Sequence, residues 1–462
     1  MCKISKQLIF CRGVIQLIIK LFWYLIYLLS PLIPIIAIYI GNPSKYSNPL
    51  MGVTMTIAVC AFVWLGFEFI LSSRIKFVEK YFGMDKMYRF HSIMAVISLV
   101  LAFIHSQVVE FLVEVGLEGQ IGEISLIMFG IIGGLALLFL IDSILLKIKP
   151  LAYLKEYFSQ YILFKHEKQI LLHNLNAIAY TILFVHVLLA PPLQGSKFSI
   201  TVFTVYYLVD MFFYGYHKII KKNKLKKNMF IVNKIIKESN TMYTLQLVPE
   251  NGQIFNYNPG QFGFLRLFSE IGIEEHPFSI SSDPLNTDYI SFTIKELGDF
   301  TSKIKSVRPG DKAMVDAPYG RYSYLNFPDE EKTVLISGGV GITPALSMLR
   351  YMRKEEKNRN VILMWGVKNP EELICMDEFK DMLSEMENFH FVPVISKSDS
   401  WEGEKGRIDK ERIKRILELY GFSINSSGFY VCGPPSMAKS VILALKDIGV
   451  SSDKIHFERF PM

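Results

Sequence analysis

Four histidines in the first half of the chain, His91, His105, His173 and His186, fall inside long apolar stretches. An imidazole in hydrocarbon is costly and usually faces a site or a polar cavity. The first two are fourteen residues apart, close to four helical turns, so they share one face about 21 Å apart. The second two are thirteen apart, about 3.6 turns, which on an ideal helix points His186 away from the direction of His173. A π-bulge or kink reconciles them, or approach from different angles. Depth matches His91 with His173 and His105 with His186. Two imidazole pairs at two depths are what two stacked haems with axial His on both sides require. One such His alone is more often a helix cap; four at two matched depths are not. His166 is the competing register for His173, and His217 falls at a helix end. Glu68 and Asp142 lie within a turn or two of helix ends, where water or Lys serves them, while Asp210 is deeper.

A second constellation lies near the other end. Ser337–Pro344 reads SGGVGITP, a loop between an apolar run and a helical one. Gly338, Gly339 and Gly341 permit close backbone approach, Thr343 suits a helix cap and Pro344 a first helical position. Such a helix start binds phosphate through free N–H groups and the dipole. Tyr430–Met437, YVCGPPSM, repeats the geometry and places Cys432 at a strand end before Gly433, Pro434 and Pro435. Two such loops on one sheet face each other where dinucleotides bind.

Elements must position these groups. The chain has 462 residues, 51% apolar and 20% charged, with mean hydropathy +0.29 and net charge +7. Disorder and disulfide-stapled classes are excluded, the five Cys being scattered with no CxxC pair. Residues 1–220 hold 17 Lys/Arg against 11 Asp/Glu; the remainder holds 33 against 32. Six apolar stretches are long enough to span a bilayer, near 21–40, 51–71, 91–109, 124–146, 170–190 and 198–220. Basic residues crowd the segments before the first, between the second and third, between the fourth and fifth, and after the sixth. That pattern predicts both termini on the cytoplasmic side of a plasma-membrane protein. Residues 221–328 read as short alternating strands with frequent turns, an antiparallel β-barrel. Residues 329–462 alternate strand and helix, a doubly wound α/β sheet.

The stretch HPFSISSDP (His276–Pro284) resembles the flavin-binding signature of ferredoxin–NADP reductase-like proteins. Its His-Pro-Phe start is similar to that of the NADPH oxidase and ferric reductase superfamily. GDFT (Gly298–Thr301), GGVGITP and CGPP follow in the expected order, and the histidine spacings, thirteen included, also match. The resemblance covers roughly residues 50–462. It implies FAD in the barrel, NADPH or NADH on the α/β domain and two b-type haems on the four histidines. It assigns His276 to the FAD pyrophosphate, with Pro277 beside it, Phe278 to packing near the flavin, and Ser279 to its N5 edge. Lys295 and Thr301 complete those contacts, and Cys432 orients the nicotinamide. Phe460, or else Phe457, would cover the flavin. Lys368, with Lys397 and Arg407, is placed to meet a 2′-phosphate.

The implied activity carries electrons from cytoplasmic NAD(P)H through FAD, the inner and then the outer haem, to dioxygen outside, giving superoxide. A ferric chelate is the alternative acceptor; a haem sensor or proton channel without turnover is the alternative class. Glu110, Glu114, Glu118 and Glu123 give the segment between the third and fourth helices an acidic rim. Neither nucleic acid nor a partner subunit is expected.

Overall fold

A computed structural model describes residues 18–42, 48–139, 149–159, 166–269, 272, 274–398 and 400–458. The chain divides into two compact units, Met1–Phe82 with Lys86–Lys221, and Gly83–Asp85 with Lys222–Met462. Asp142 and Phe460 lie outside the described residues.

The first unit is built on six helices long and apolar enough to cross a membrane. They are α1 (Ile18–Gly41), α2 (Pro49–Ser72), α3 (Met84–Leu112), α4 (Leu117–Phe139), α5 (Lys168–Leu189) and α6 (Lys197–Lys227). Helix α1 turns at Ser30–Pro31, where proline removes a helical donor. Asn48 caps α2, its side chain accepting from Leu50 and Met51 N–H, with Pro49 at the first position. Between the helices, Phe62, Val63, Ala179, Tyr180 and Phe203 are almost fully buried. Hydroxyls tie neighbours together: Ser125 donates to the Ala179 carbonyl at 2.8 Å and Ser199 to that of Ala37 at 2.9 Å. Such bonds are the polar glue of bundles that lack a hydrophobic drive in lipid. Large apolar side chains such as Phe103, Ile131 and Phe212 point outward.

Helix α5 is not continuous. The helical segment His166–His173, which leads into it, breaks, and the helix resumes over Asn176–Leu189. Across the break Leu175 N–H bonds the Leu172 carbonyl and Ala177 N–H that of Asn174, an i→i+3 pattern. The distortion expected between His173 and His186 is this tightened 3₁₀ turn.

In the second unit, β1 (Phe230–Lys237), β2 (Met242–Pro249), β3 (Phe262–Phe268), β4 (Glu275–Ser279), β5 (Ile290–Lys295) and β6 (Lys312–Tyr319) form one antiparallel sheet, ordered β4-β3-β6-β1-β2-β5. A bridge between Ile280 and Phe292 closes it into a barrel. Alternate residues Leu245, Leu247, Leu265, Leu267, Ile290 and Phe292 fill the interior with no exposure.

The remaining strands, β7 (Lys332–Gly338), β8 (Asn360–Val367), β9 (Phe389–Ile395), β10 (Glu404–Lys405), β11 (Ser427–Cys432) and β12 (Ile455–Phe457), form a parallel sheet ordered β10-β9-β8-β7-β11-β12. Helices α7 (Ile342–Glu355), α8 (Met376–Glu385), α9 (Lys410–Leu419) and α10 (Pro435–Asp447) complete this domain. The winding reverses between β7 and β11, the switch point where open α/β sheets bind ligands.

Barrel and sheet are joined through the latter half of the HPFSISSDP stretch. The Ser282 carbonyl accepts from Ser347 at 2.7 Å, the Ser281 carbonyl from Arg350 at 2.6 Å, and Asp283 pairs with Lys354 at 2.7 Å. Residues 347, 350 and 354 share one face of α7. Glu378 holds the Arg350 guanidinium bidentately, at 2.7 and 2.6 Å. Burial opposes that charge, but the Glu378 carboxylate outweighs it and raises the Arg350 pKa further.

Candidate functional site

The loops after β7 and β11 meet at the switch point. Cys432 stands in register with Ser337. A Cβ on Gly341 would lie 2.4 Å from the Cys432 carbonyl oxygen, and one on Gly433 3.1 Å from the Gly338 Cα. A Cβ on Gly338 would strike the Met437 sulfur. Gly341 and Gly433 therefore let the loops close backbone against backbone, and Gly338 leaves room for the Met437 side chain. Gly339 differs: its φ is +52° and the space beside it is open. Its carbonyl accepts from the buried Trp365 indole at 2.9 Å. A chain closed on three sides and open at one glycine suits a phosphate group, so the residues fit a dinucleotide. Two sequence expectations are corrected. Helix α7 begins at Ile342, so Pro344 is its third residue, and Thr343 is no cap because its hydroxyl donates to the Val340 carbonyl.

Cys432 is buried, and burial, then the Glu458 carboxylate, push its thiol up to about 12. It stays a neutral thiol at ordinary pH. Tyr322, also buried, lies within electrostatic reach of both. Lys368, Lys397 and Arg407 are exposed, and Lys397 N–H bonds the Lys368 carbonyl at 2.8 Å, putting two of these cations on adjacent backbone.

On the barrel, Ser279 is buried at the end of β4, paired with Phe262, and Phe278 packs partly into the barrel core. His276 stacks on Phe300 at 4.2 Å and meets Glu274 at 2.9 Å, with Pro277 next in the strand. Lys295 pairs with Glu372 at 2.8 Å. The Thr301 hydroxyl accepts from Leu297 and Gly298 N–H at 3.0 Å each, holding its own loop. Phe457 ends β12, half-exposed.

In the first unit the structure brings His91 and His173 together, ring centroids 6.1 Å apart and planes 73° across. His105 and His186 lie within electrostatic reach of each other. The tightened turn in α5 explains the odd spacing. Four residues at about 120° instead of 100° advance the helix by about 80°, most of what thirteen residues lack of four turns.

Three of the four Nδ1 atoms have a hydrogen-bond partner, and the fourth lies close to a carboxyl oxygen. His91 Nδ1 is 2.5 Å from Glu68 Oε2, His105 donates to the Thr54 carbonyl at 3.2 Å, and His186 to the Glu118 carbonyl at 2.6 Å. His173 Nδ1 lies 3.3 Å from the Asn176 amide, whose oxygen is buried without a partner. A carbonyl only accepts, so on His105 and His186 Nδ1 carries the hydrogen and Nε2 keeps a free lone pair, the form that binds metal. Among the described residues no three His, Cys, Asp or Glu side chains are arranged to hold a metal ion by themselves. A metal held by two imidazoles must bring its other ligands, as haem does, so these residues fit that group.

Sequence reasoning missed the outer ring of partners. Thr54 and Glu118 act through backbone, which leaves no side-chain signal. Glu68 is buried, 2.5 Å from His91 Nδ1 and accepting from Tyr27, not served by Lys. Asp210 accepts from Tyr180 at 2.8 Å against Gly66, where a Cβ would collide with both. Trp365 and the Ser281–Asp283 contacts were likewise unseen.

Comparison with known proteins bears on the second unit. An FAD-binding domain family matches residues 226–338, and an oxidoreductase NAD-binding domain family matches residues 335–442. The chain is 28% identical over 224 residues to the reductase component of propane 2-monooxygenase from Mycolicibacterium smegmatis, covering 47% of this chain and 63% of that protein. It is 30% identical over 242 residues to a flavohemoprotein of Bacillus cereus, 50% and 60% covered. With the reductase component of glycine betaine monooxygenase of Pseudomonas aeruginosa it shares 27% over 233 residues, 49% and 62% covered. The chain thus spans a little under two thirds of the length of these relatives. The FAD/NAD-binding domain of nitric oxide dioxygenase from Vibrio cholerae superposes with TM-score 0.45 at 24% identity, over 50% of this chain and 98% of that one.

Proposed function

We propose that this chain, whose second unit is a ferredoxin–NADP reductase-like oxidoreductase module, moves electrons from cytoplasmic NAD(P)H across a membrane to dioxygen, releasing superoxide on the far side. Bound FAD would exchange a hydride pair for single electrons, and haems would carry those electrons through hydrocarbon. The chain's own residues do the rest. Gly339 and the first turn of α7 hold nucleotide phosphate, and Lys368, Lys397 and Arg407 offer charge to a 2′-phosphate. Cys432, kept a neutral thiol, borders the nicotinamide without adding to its oxidised ring as a thiolate would. Ser279 presents its hydroxyl to the flavin edge, and His276 faces the FAD pyrophosphate. In the bundle, His91, His105, His173 and His186 offer Nε2 lone pairs at two depths.

The observation that carries the reading is the meeting of His91 with His173, ring centroids 6.1 Å apart, together with Nδ1 of His105 and His186 donated to the Thr54 and Glu118 carbonyls. Helix capping would need no such pairing. Lysine-rich segments at one end of the helices support cytoplasmic termini. Ferric chelate is the second reading: Glu118, whose carbonyl holds His186, belongs to an acidic segment that attracts a bare cation. The same acidity repels anionic chelates, which favours dioxygen.

Purified protein, reconstituted with FAD and haem and given NAD(P)H, should show a low-spin b-type spectrum and superoxide formation that ferric chelate does not suppress. Diversion of most electrons to the chelate would establish the second reading. NAD(P)H left unoxidised with every acceptor would leave a haem sensor or channel instead.

A further inference from the structure

We infer that the groove between α1 and α6 is a binding site for a membrane-soluble phenol, an aromatic ring bearing one uncharged hydroxyl on an apolar tail. The inference needs these helices to lie in a bilayer and needs no haem. The groove has a volume of about 520 Å³, within the range of small-molecule sites. Leu25, Leu29 and Ile33 line it from α1, and Val205 and Val209 from α6. Three polar side chains also reach it, Ser30, Tyr206 and Asp210. Pro31 and Pro34 lack the N–H groups that would meet the Tyr27 and Ser30 carbonyls in a regular helix. Trp64 and Ser30 donate to the first carbonyl at 3.1 and 2.7 Å, and Tyr206 donates to the second at 2.7 Å. Asp210 is the one left incomplete. Tyr180 donates to its Oδ2 at 2.8 Å, against Gly66, and so fixes the carboxyl. Oδ1 is buried with no partner among the described residues, and the whole residue is 1% exposed.

An unpaired polar atom is costly in hydrocarbon, so the groove favours an occupant that pairs with Oδ1. Depth restricts what that occupant is. Asp210 lies thirteen residues after Lys197 and eight before Lys218, roughly 20 Å and 12 Å along the helix. The ionic headgroup of a phospholipid stays at the interface rather than reach that level. A hydroxyl both donates and accepts, so it pairs with Oδ1 whether or not the carboxyl holds a proton. An ammonium only donates and a ketone only accepts. The walls select the body that carries the hydroxyl. Tyr206, one turn before Asp210, and Phe67, next to Gly66, both line the groove, and rings beside the orphan oxygen favour an aromatic head. From Leu25 to Ile33 the apolar wall of α1 extends about 12 Å, which accommodates the tail.

The test is equilibrium binding of radiolabelled nonylphenol to the full-length protein in phosphatidylcholine nanodiscs, with empty nanodiscs giving the partition background. Wild type should take up one saturable equivalent. Nonylbenzene, which lacks the hydroxyl, should bind about tenfold or more weakly. Asp210→Leu replaces the carboxyl with an apolar group and should lower the affinity for nonylphenol to that for nonylbenzene. Leu29→Trp keeps Asp210 but fills the groove, and should abolish saturable binding of both probes. If Asp210→Leu does not fold, the two probes on wild type and the Leu29→Trp protein still decide. Uptake no greater than in empty nanodiscs would overturn the inference. So would nonylbenzene bound as tightly as nonylphenol, or nonylphenol binding unchanged in either variant. A wild type that takes up no haem overturns the electron-transfer reading and leaves this inference standing.

Discussion

The two units build their candidate sites from different material. Around the switch point of the parallel sheet, the work is done by main chain: Gly341 lies against the Cys432 carbonyl, Gly433 against Gly338, and Gly339 stands open. Among the six helices, it is done by side chains held at a distance by carbonyls, as His105 is by Thr54 and His186 by Glu118. A backbone site is fixed by what cannot be added to it. A side-chain site is fixed by what must not be removed. Substitutions should therefore act in opposite ways: additions injure the first, deletions the second.

Deletion of an imidazole should give the largest effect. His105→Ala should lose one haem by pyridine haemochrome assay and reduce cross-membrane superoxide formation to background. NAD(P)H-driven dye reduction by the same sample should persist, because that step needs no haem. Loss of both activities would mean that the two sites are not separable.

Addition of one methyl in the glycine loops comes next. Gly341→Ala forces a carbon against main chain that cannot yield, and overpacking of this kind costs about 1–3 kcal/mol. Thermal unfolding should shift down and the KM for NADPH should rise. Gly339→Ala meets no neighbour but keeps a left-handed φ, costing about 1–2 kcal/mol. It should weaken nucleotide binding more than its stability loss suggests, because the new methyl occupies the proposed phosphate cradle. Equal behaviour of the two variants would refute the distinction between closed and open glycines.

A comparable effect, confined to one nucleotide and without loss of stability, is expected at the sheet's carboxyl edge. Lys368→Ala removes a charge-assisted bond of about 1.5–3 kcal/mol, so the KM for NADPH should rise about tenfold or more while that for NADH barely changes. A lesser rise would show Lys397 or Arg407 sharing the phosphate. Trp365→Phe should cost about 0.5–1.5 kcal/mol, the worth of one neutral hydrogen bond, and appear as a severalfold rise in KM with kcat unchanged.

The smallest effect is the absence of a plateau. Burial and Glu458 raise the Cys432 pKa to about 12. An acid stays mostly neutral below a raised pKa, so alkylation of Cys432 should be slow and still climb about tenfold per pH unit at about pH 9, where an ordinary thiol of pKa about 8.5 levels off. A rate that levels off by about pH 9 would show the thiol to be open to water.

The same contrast explains how much was legible in the sequence. Six spanning helices, a barrel and a doubly wound sheet follow from periodicity and charge, because every residue of an element contributes to the pattern. The glycine loops were legible because nothing but glycine fits there, though the reason proved partly different: Gly341 and Gly433 serve loop closure, and Gly338 leaves room for Met437. Thr343 and Pro344 were misplaced by two residues, the usual uncertainty where a loop winds into a helix. The four histidines stood out because imidazole is rare in hydrocarbon. Their supports did not, since Thr54 and Glu118 act through carbonyls that every residue possesses, and Glu68 looked like a helix-end acid. Arg350 joining Ser281 to Glu378 depends on three segments far apart in the chain, which no local pattern reveals.

The break at Asn174–Leu175 has a vertical as well as an angular result. A 3₁₀ stretch climbs about 2.0 Å per residue against 1.5 Å for an α-helix. Four tightened residues gain about 2 Å, so thirteen residues of α5 ascend about as far as fourteen of α3. The two helices thus act as equal uprights, and rungs set across them at His91/His173 and His105/His186 would lie level. A single residue inserted between His173 and His186, though it restores the count of fourteen, would tilt the upper rung.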